Sequence, residues 1–248
     1  AMLNTAVMHE DDGNTRGAFA VYEQMELYFP NAKIFRDKKI VSAREKNLYN
    51  LVRTSSIIGE VLTTEKYGSR FLKAFPNSEY ADEVRRLTLS SLFWEGEYAK
   101  CIEVASVMID KLPKPSEQHD ICLFVLGGSH HYSGSFDVAQ PMLDEHVKTY
   151  PKTKGHRRQA ALYFQGSNLF RLQYWTKSAA LLDSFLKEYP EAGSNPYLPF
   201  ALFDRSNCHF AEEEYTEALE KVTRVETEFP GFGAMESIFA LKGNILEN

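Results

Sequence analysis

In the stretch "ICLFVLGGSHHYSG", residues 121–134, Leu123, Leu126 and Gly127 fall at the three-and-four spacing of one helix face. A short turn, Ser133-Gly134-Ser135, separates this stretch from a second amphipathic run, "FDVAQPMLDEHVKTYP". Pro151 closes that run, because proline pushes the residue before it out of the helical region. The pattern predicts two antiparallel helices joined by a tight turn. The same design recurs in "YTEALEKVTRVETEFP", which follows the polar turn Glu212-Glu213-Glu214.

The hairpin is one unit of an internal repeat, and periods of this length signal stacked repeat architectures. Aromatic-proline pairs stand at Phe29-Pro30, Phe75-Pro76, Tyr150-Pro151, Tyr189-Pro190 and Phe229-Pro230, with Leu112-Pro113 filling the gap; successive prolines are 46, 37, 38, 39 and 40 residues apart. Fifteen residues before each of the last four prolines stand Tyr98, Phe136, Trp175 and Tyr215, and three residues after each of these a small side chain, Cys101, Ala139, Ser178 or Ala218. Nine residues before the same aromatics stand Leu89, Gly127, Gly166 and Ser206. Small residues on both helices predict a close approach of their backbones. "LYFQGS" within residues 161–170 has the look of a protease-tag scar, but Gly166 is in phase with Gly127 and with Gly243, so the repeat accounts for it.

These residues resemble the tetratricopeptide repeat, whose pattern of a leucine-glycine pair, an aromatic, an alanine and a closing proline they follow. The matches run Leu123/Leu126-Gly127…Phe136…Ala139…Leu143…Pro151, then Leu162…Gly166…Leu169…Trp175…Ser178…Leu182…Pro190, then Leu202…Ser206…Tyr215…Ala218…Val222…Pro230, with a weaker one at Leu89…Leu92…Tyr98…Cys101…Pro113. The same offsets reach Val61 and Thr64, and Thr15, Ala18 and Tyr22, nearer the start. The resemblance implies an all-α, right-handed superhelical solenoid of antiparallel helix pairs. Its expected repeats are 1–36, 37–80, 81–116, 117–154, 155–193 and 194–233, with a final helix at 234–248, as one solenoid cut from a longer chain. The weakest region is 31–58, where the 46-residue interval leaves room for an irregular loop or a longer helix. The period exceeds 34, and the join "FPNSEYADEV" is similar to bacterial envelope members of the superfamily: outer-membrane-barrel assembly lipoproteins and a periplasmic coordinator of the Tol-Pal system. That likeness implies an envelope or periplasmic setting, although no lipobox cysteine supports it.

Composition adds bounds. The 248 residues are 44% hydrophobic and 25% charged, a globular balance. The net charge of −6 weighs against a nucleic-acid surface, so no nucleic-acid partner is expected. No stretch has the roughly 18 apolar residues of a membrane span, and residues 1–14 carry no signal-peptide pattern. Cys101, Cys122 and Cys208 have neither disulfide-framework nor zinc spacing.

In such a solenoid the first helices line a concave groove. Positions 12, 8, 5 and 4 before the turn aromatic give Arg86, Ser90, Phe93 and Trp94; Phe124, Gly128, His131 and Tyr132; Tyr163, Ser167, Phe170 and Arg171; and Phe203, Asn207, Phe210 and Ala211. The columns are aromatic. They read either as a groove that encloses an apolar peptide segment, with Arg86, Arg171 and Asn207 holding its polar groups, or as packing between neighbouring first helices. The adjacent His130 and His131 point about 100° apart on a helix and read as core or interface residues, as do His146, His156 and His209. Residues 148–177 carry seven bases and no acid, and Asp204 to Glu228 carries eight acids against three bases. Two solvated faces account for this, with a charged docking surface as the alternative. No phosphate loop, nucleophile elbow, His-Glu-x-x-His or paired catalytic carboxylates stand in the sequence. The expected function is a non-catalytic scaffold binding a protein or peptide in its groove, with no metal and no cofactor. An envelope assembly factor, or the non-catalytic arm of a larger enzyme or regulator, is the alternative.

Overall fold

The computed structural model describes residues 1–36, 39–151, 157–191 and 195–247. Lys152, Lys154 and His156 lie outside them. The fold is an all-α helical repeat, and its helices start and stop where the repeat places them. Each second helix whose aromatic was identified begins on that aromatic: α6 (Tyr98–Ile109), α8 (Phe136–Thr149), α10 (Trp175–Glu188) and α12 (Tyr215–Glu228). In α8, α10 and α12 the last helical residue lies two positions before the proline, as position-specific steric exclusion requires.

Two compact units divide the chain at Leu112/Pro113. The first contains α1 (Met2–Asp11), α2 (Thr15–Tyr28), α3 (Arg44–Ile58), α4 (Val61–Ala74), α5 (Ala81–Trp94) and α6. Thr15 and Val61, reached by counting back from Pro30 and Pro76, open α2 and α4. Between α2 and α3 the chain forms an antiparallel hairpin, β1 (Lys33–Arg36) with β2 (Lys39–Ser42), in which Lys33 pairs with Ser42 and Arg36 with Lys39. This insertion explains the long interval of 46 residues. The repeat boundary expected at 36/37 follows the last residue of β1. The core of this unit is built on Ala18, Tyr22, Leu48, Leu51, Val52, Tyr67 and Phe71, all buried.

The second unit contains α7 (Glu117–Tyr132), α8, α9 (Arg157–Arg171), α10, α11 (Leu198–Ala211), α12 and α13 (Met235–Leu246). The Ser116 hydroxyl caps α7 by accepting the His119 backbone N–H at 3.1 Å, with Glu117 and Asp120 in the first turn to complement the helix dipole. Leu198, Leu202, Ala218, Val222, Val225 and Ile238 form a buried core among α11, α12 and α13.

Among the described residues, the six turns that join the two helices of a hairpin each place a left-handed residue two positions before the second helix. Glycine fills it at Gly13, Gly59, Gly96 and Gly134, whereas Gln173 and Glu213 adopt it with φ of 62° and 61°. Glycine takes this conformation without steric cost and other residues do not.

The close approach of paired helices is real, but the contacts differ from the expected small-on-small one. A β-carbon at Gly127 would stand 3.1 Å from Leu143 Cδ2, and one at Gly166 would stand 2.8 Å from Leu182 Cγ. Each leucine lies four residues beyond the small side chain of its helix. The small side chain meets backbone instead: the Ser178 hydroxyl donates to the Gly166 carbonyl at 2.8 Å, and in the next hairpin the Ser206 hydroxyl donates to the Ala218 carbonyl at 2.8 Å. Gly166 is thus a helix-packing residue in the middle of α9. At Gly243, in phase with it, an added β-carbon meets nothing within 4 Å.

Candidate functional site

In the second unit the first helices α7, α9 and α11 enclose a cleft of about 430 Å³. Helix α9 forms its floor with Tyr163, Ser167 and Arg171. Those residues are spaced by four, so they share one face. One wall is made by His131 and Tyr132 at the end of α7 with Phe136 at the start of α8, and the other by Tyr197 and Phe200 at the start of α11.

The walls are held by local bonds. The His131 Nδ1–H donates to Asn168 Oδ1 at 2.6 Å, the tautomer an amide oxygen requires, and its ring stacks on Phe164 at 4.6 Å. Burial lowers the His131 pKa, so the ring is neutral in this wall. On the other side buried Asn195 accepts the Tyr197 backbone N–H at 3.1 Å and donates to the Tyr189 carbonyl at 2.9 Å. The Tyr197 ring then stacks on Tyr163 at 5.3 Å, and Phe200 lies edge-on to Phe232 at 4.7 Å.

Behind the floor sits Asp204, 1% exposed, which accepts the Tyr163 hydroxyl at 3.3 Å and lies 3.9 Å from the Arg171 guanidinium. Burial pushes its carboxyl up to about 6, against the opposing pull of Arg171, the Ser167 hydroxyl and Tyr163. Burial also raises the Tyr163 hydroxyl well above its ordinary range, so it remains a donor. The buried Ser167 hydroxyl sits beside both groups and opposes the rise that burial causes.

Three side chains of the cleft face solvent to a useful degree: Tyr132 is 45% exposed, Phe200 44%, and the Arg171 side chain 49%. Large half-exposed rings on facing walls, with a guanidinium between them, provide stacking surface and one directed charge.

Of the expected groove residues the cleft gathers His131, Tyr132, Tyr163, Ser167 and Arg171. Phe170 supports it from outside, packing on Trp175 at 5.4 Å and under the Arg171 guanidinium at 5.1 Å. The structure buries Phe124 in the core, where it stacks on Phe164 at 6.2 Å and tilts against His146. Phe203 and Phe210 pack on the α11–α13 core, and Asn207 donates to the Phe203 carbonyl at 2.8 Å, a bond within its own helix. In the first unit Phe93 is likewise buried, edge-on to Tyr98 at 5.8 Å, and Arg86 lies 3.6 Å from Glu83. Trp94 is 62% exposed there, in the same repeat position as Tyr132 and Arg171.

Phe136, Tyr197 and Phe200 were not among the expected groove residues. Phe136 is a turn aromatic, and the other two precede or open α11, outside the columns taken from helix middles and ends. The join around Tyr197, with its aromatic-proline composition, was the available signal.

The buried histidines are core residues. His146 Nε2 pairs with Asp120 Oδ1 at 2.7 Å, Arg157 reaches the other Asp120 oxygen at 3.2 Å, and the Tyr150 hydroxyl bonds His119 Nδ1 at 2.7 Å. No group of three or more potential metal ligands gathers among the described residues. The acids of residues 204–228 are largely engaged within the unit, Glu214 with His209, Glu226 with Lys242 and Glu228 with Arg224. No described helix is long and apolar enough to cross a membrane.

No protein-family model matches the sequence, and no characterised protein matches it. Solved structures do match its fold. A tetratricopeptide repeat protein from Parabacteroides merdae is 14% identical, with 98% of this chain and 84% of that one covered at a TM-score of 0.66. PilF of Pseudomonas aeruginosa is 10% identical over 96% of this chain and 95% of its own, at 0.63. A Rap protein complexed with competence and sporulation factor is 11% identical over 98% of this chain and 72% of its own, at 0.52.

Proposed function

From a tetratricopeptide-repeat fold with this cleft in it, we propose that the chain is a non-catalytic scaffold that binds a protein or peptide segment between α7, α9 and α11. The observation that carries the reading is the pair Tyr132 and Phe200, large rings left half exposed on opposite walls of a concave surface. A core would cover them, and isolated surface rings would not line one cleft. The volume of about 430 Å³ suits a few residues of an extended segment. A Rap protein of the same fold is complexed with a named factor, which fits a binding role for such a stack. The envelope-assembly alternative draws on no side chain of this cleft.

The test is a peptide-display selection against the parent, counter-selected on the Tyr132→Ala/Phe200→Ala protein. Both rings are half exposed, so their loss should leave helicity unchanged and lower the melting temperature only modestly, through the ring contacts with Phe164 and Phe232. Enrichment of sequences that bind only the parent is the expected result. Enrichment of sequences that bind both proteins equally places the binding surface elsewhere.

A further inference from the structure

The floor of the cleft is polarised along α9. Tyr163 stands at one end, stacked with Tyr197 and 6.2 Å from Phe200. Arg171 stands at the other, eight residues or about 12 Å of helix rise away. Arg171 is the one cation lining the cleft among the described residues. Its two arginine neighbours on α9 are engaged by acids, Arg157 with Asp120 at 3.2 Å and Arg158 with Glu188 at 2.9 Å. Arg171 makes no side-chain hydrogen bond among the described residues. Its nearest acid, Asp204, lies 3.9 Å away, at the outer limit of an ion pair, and also accepts the Tyr163 hydroxyl. Phe170 supports the guanidinium from one side at 5.1 Å, which holds its N–H groups for an incoming partner.

Resting on the peptide-binding reading, we infer that the occupant is an internal segment carrying an aromatic side chain and an acidic side chain three or four residues apart. The ring stacks on the half-exposed Phe200, beside the buried Tyr163, and the carboxylate pairs with Arg171. The spacing follows from the floor: about 12 Å corresponds to three or four residues of extended chain at about 3.3 Å each. Guanidinium and carboxylate match as a two-pronged pair, which gives the segment direction as well as affinity.

The test uses acetylated, amidated ten-residue Gly/Ser peptides, so that no terminal charge contributes. One carries tryptophan and glutamate four positions apart. The others replace glutamate by glutamine or lysine, move it next to the tryptophan, or replace tryptophan by alanine. Each is titrated into ¹⁵N-labelled protein and followed by NMR, which reads weak affinities and locates the site. The expected result is that the spaced Trp/Glu peptide shifts amides of α9 and α11 and binds about tenfold tighter than its glutamine version. That ratio collapses to about one in Arg171→Gln, while the Trp/Ala difference persists. Tryptophan-dependent binding at the cleft with glutamine or lysine equal to glutamate, or with spacing without effect, overturns this inference and leaves the scaffold reading intact. Shifts confined to other surfaces, or no shifts with any tryptophan peptide, overturn both.

Discussion

Leu182 occupies the space that a side chain at Gly166 would need: a β-carbon there would stand 2.8 Å from both Leu182 Cγ and Cδ2. This contact, with the Ser178 hydroxyl on the Gly166 carbonyl, sets how closely α9 and α10 pack. It therefore sets the level of the floor that carries Tyr163, Ser167 and Arg171. Gly166→Leu should destabilise by about 1–3 kcal/mol through overpacking. Gly243→Ala, in the same repeat phase but with open space around it, should be neutral or stabilise by up to about 1 kcal/mol through helix propensity. Thermal melts of the two variants give the comparison, and equal melting temperatures would show that the packing at Gly166 has slack.

Gln173 and Glu213 hold the left-handed turn position that glycine fills in four other hairpins. Left-handed backbone costs such residues roughly 1–2 kcal/mol, part of which glycine gives back through its freer unfolded chain. Gln173→Gly and Glu213→Gly should each stabilise by about 0.5–1 kcal/mol. A lower melting point in either variant would mean that the side chain, rather than the turn geometry, sets that position.

The helices were legible in the sequence because two chemical facts recur with the repeat. Proline ends second helices such as α8, α10 and α12, and in the later hairpins an aromatic at the start of the second helix packs on the first, as Phe93 does with Tyr98, Phe170 with Trp175 and Phe210 with Tyr215. The β-hairpin was hidden because it is an insertion that occurs once, so no phase points to it. The cleft was half legible. Counting along first helices finds His131, Tyr132, Tyr163, Ser167 and Arg171, which belong to helix faces. It misses Tyr197 and Phe200, which are placed by the buried Asn195 in a join rather than by helical periodicity. It also cannot separate Phe124 from Tyr132, since whether a ring is covered depends on its neighbour across the stack.

Asp204 makes the second unit sensitive to pH. Its carboxyl is raised from the ordinary 3.8 to about 6 because it is buried, so the folded state holds the proton more tightly than the unfolded chain does. The corresponding stability is fully present below about pH 4 and is lost as pH rises through about 6, a ceiling of about 3 kcal/mol. Asp204→Asn keeps an acceptor for the Tyr163 hydroxyl and never ionises. Its melting temperature should gain on the parent's between pH 4.5 and pH 8. A difference that stays constant over that range would show that the carboxylate is well compensated where it lies.

The central claim is that the facing rings of the α7–α9–α11 cleft hold the partner. The direct measurement is calorimetry of one display-selected peptide against the parent, Tyr132→Ala/Phe200→Ala, and Trp94→Ala, whose exposed ring lies in the other unit. The account predicts at least a tenfold loss of affinity in the double variant, which stays folded at the temperature of the measurement, and none in Trp94→Ala. Equal affinity for the parent and the double variant, or a loss confined to Trp94→Ala, would contradict it.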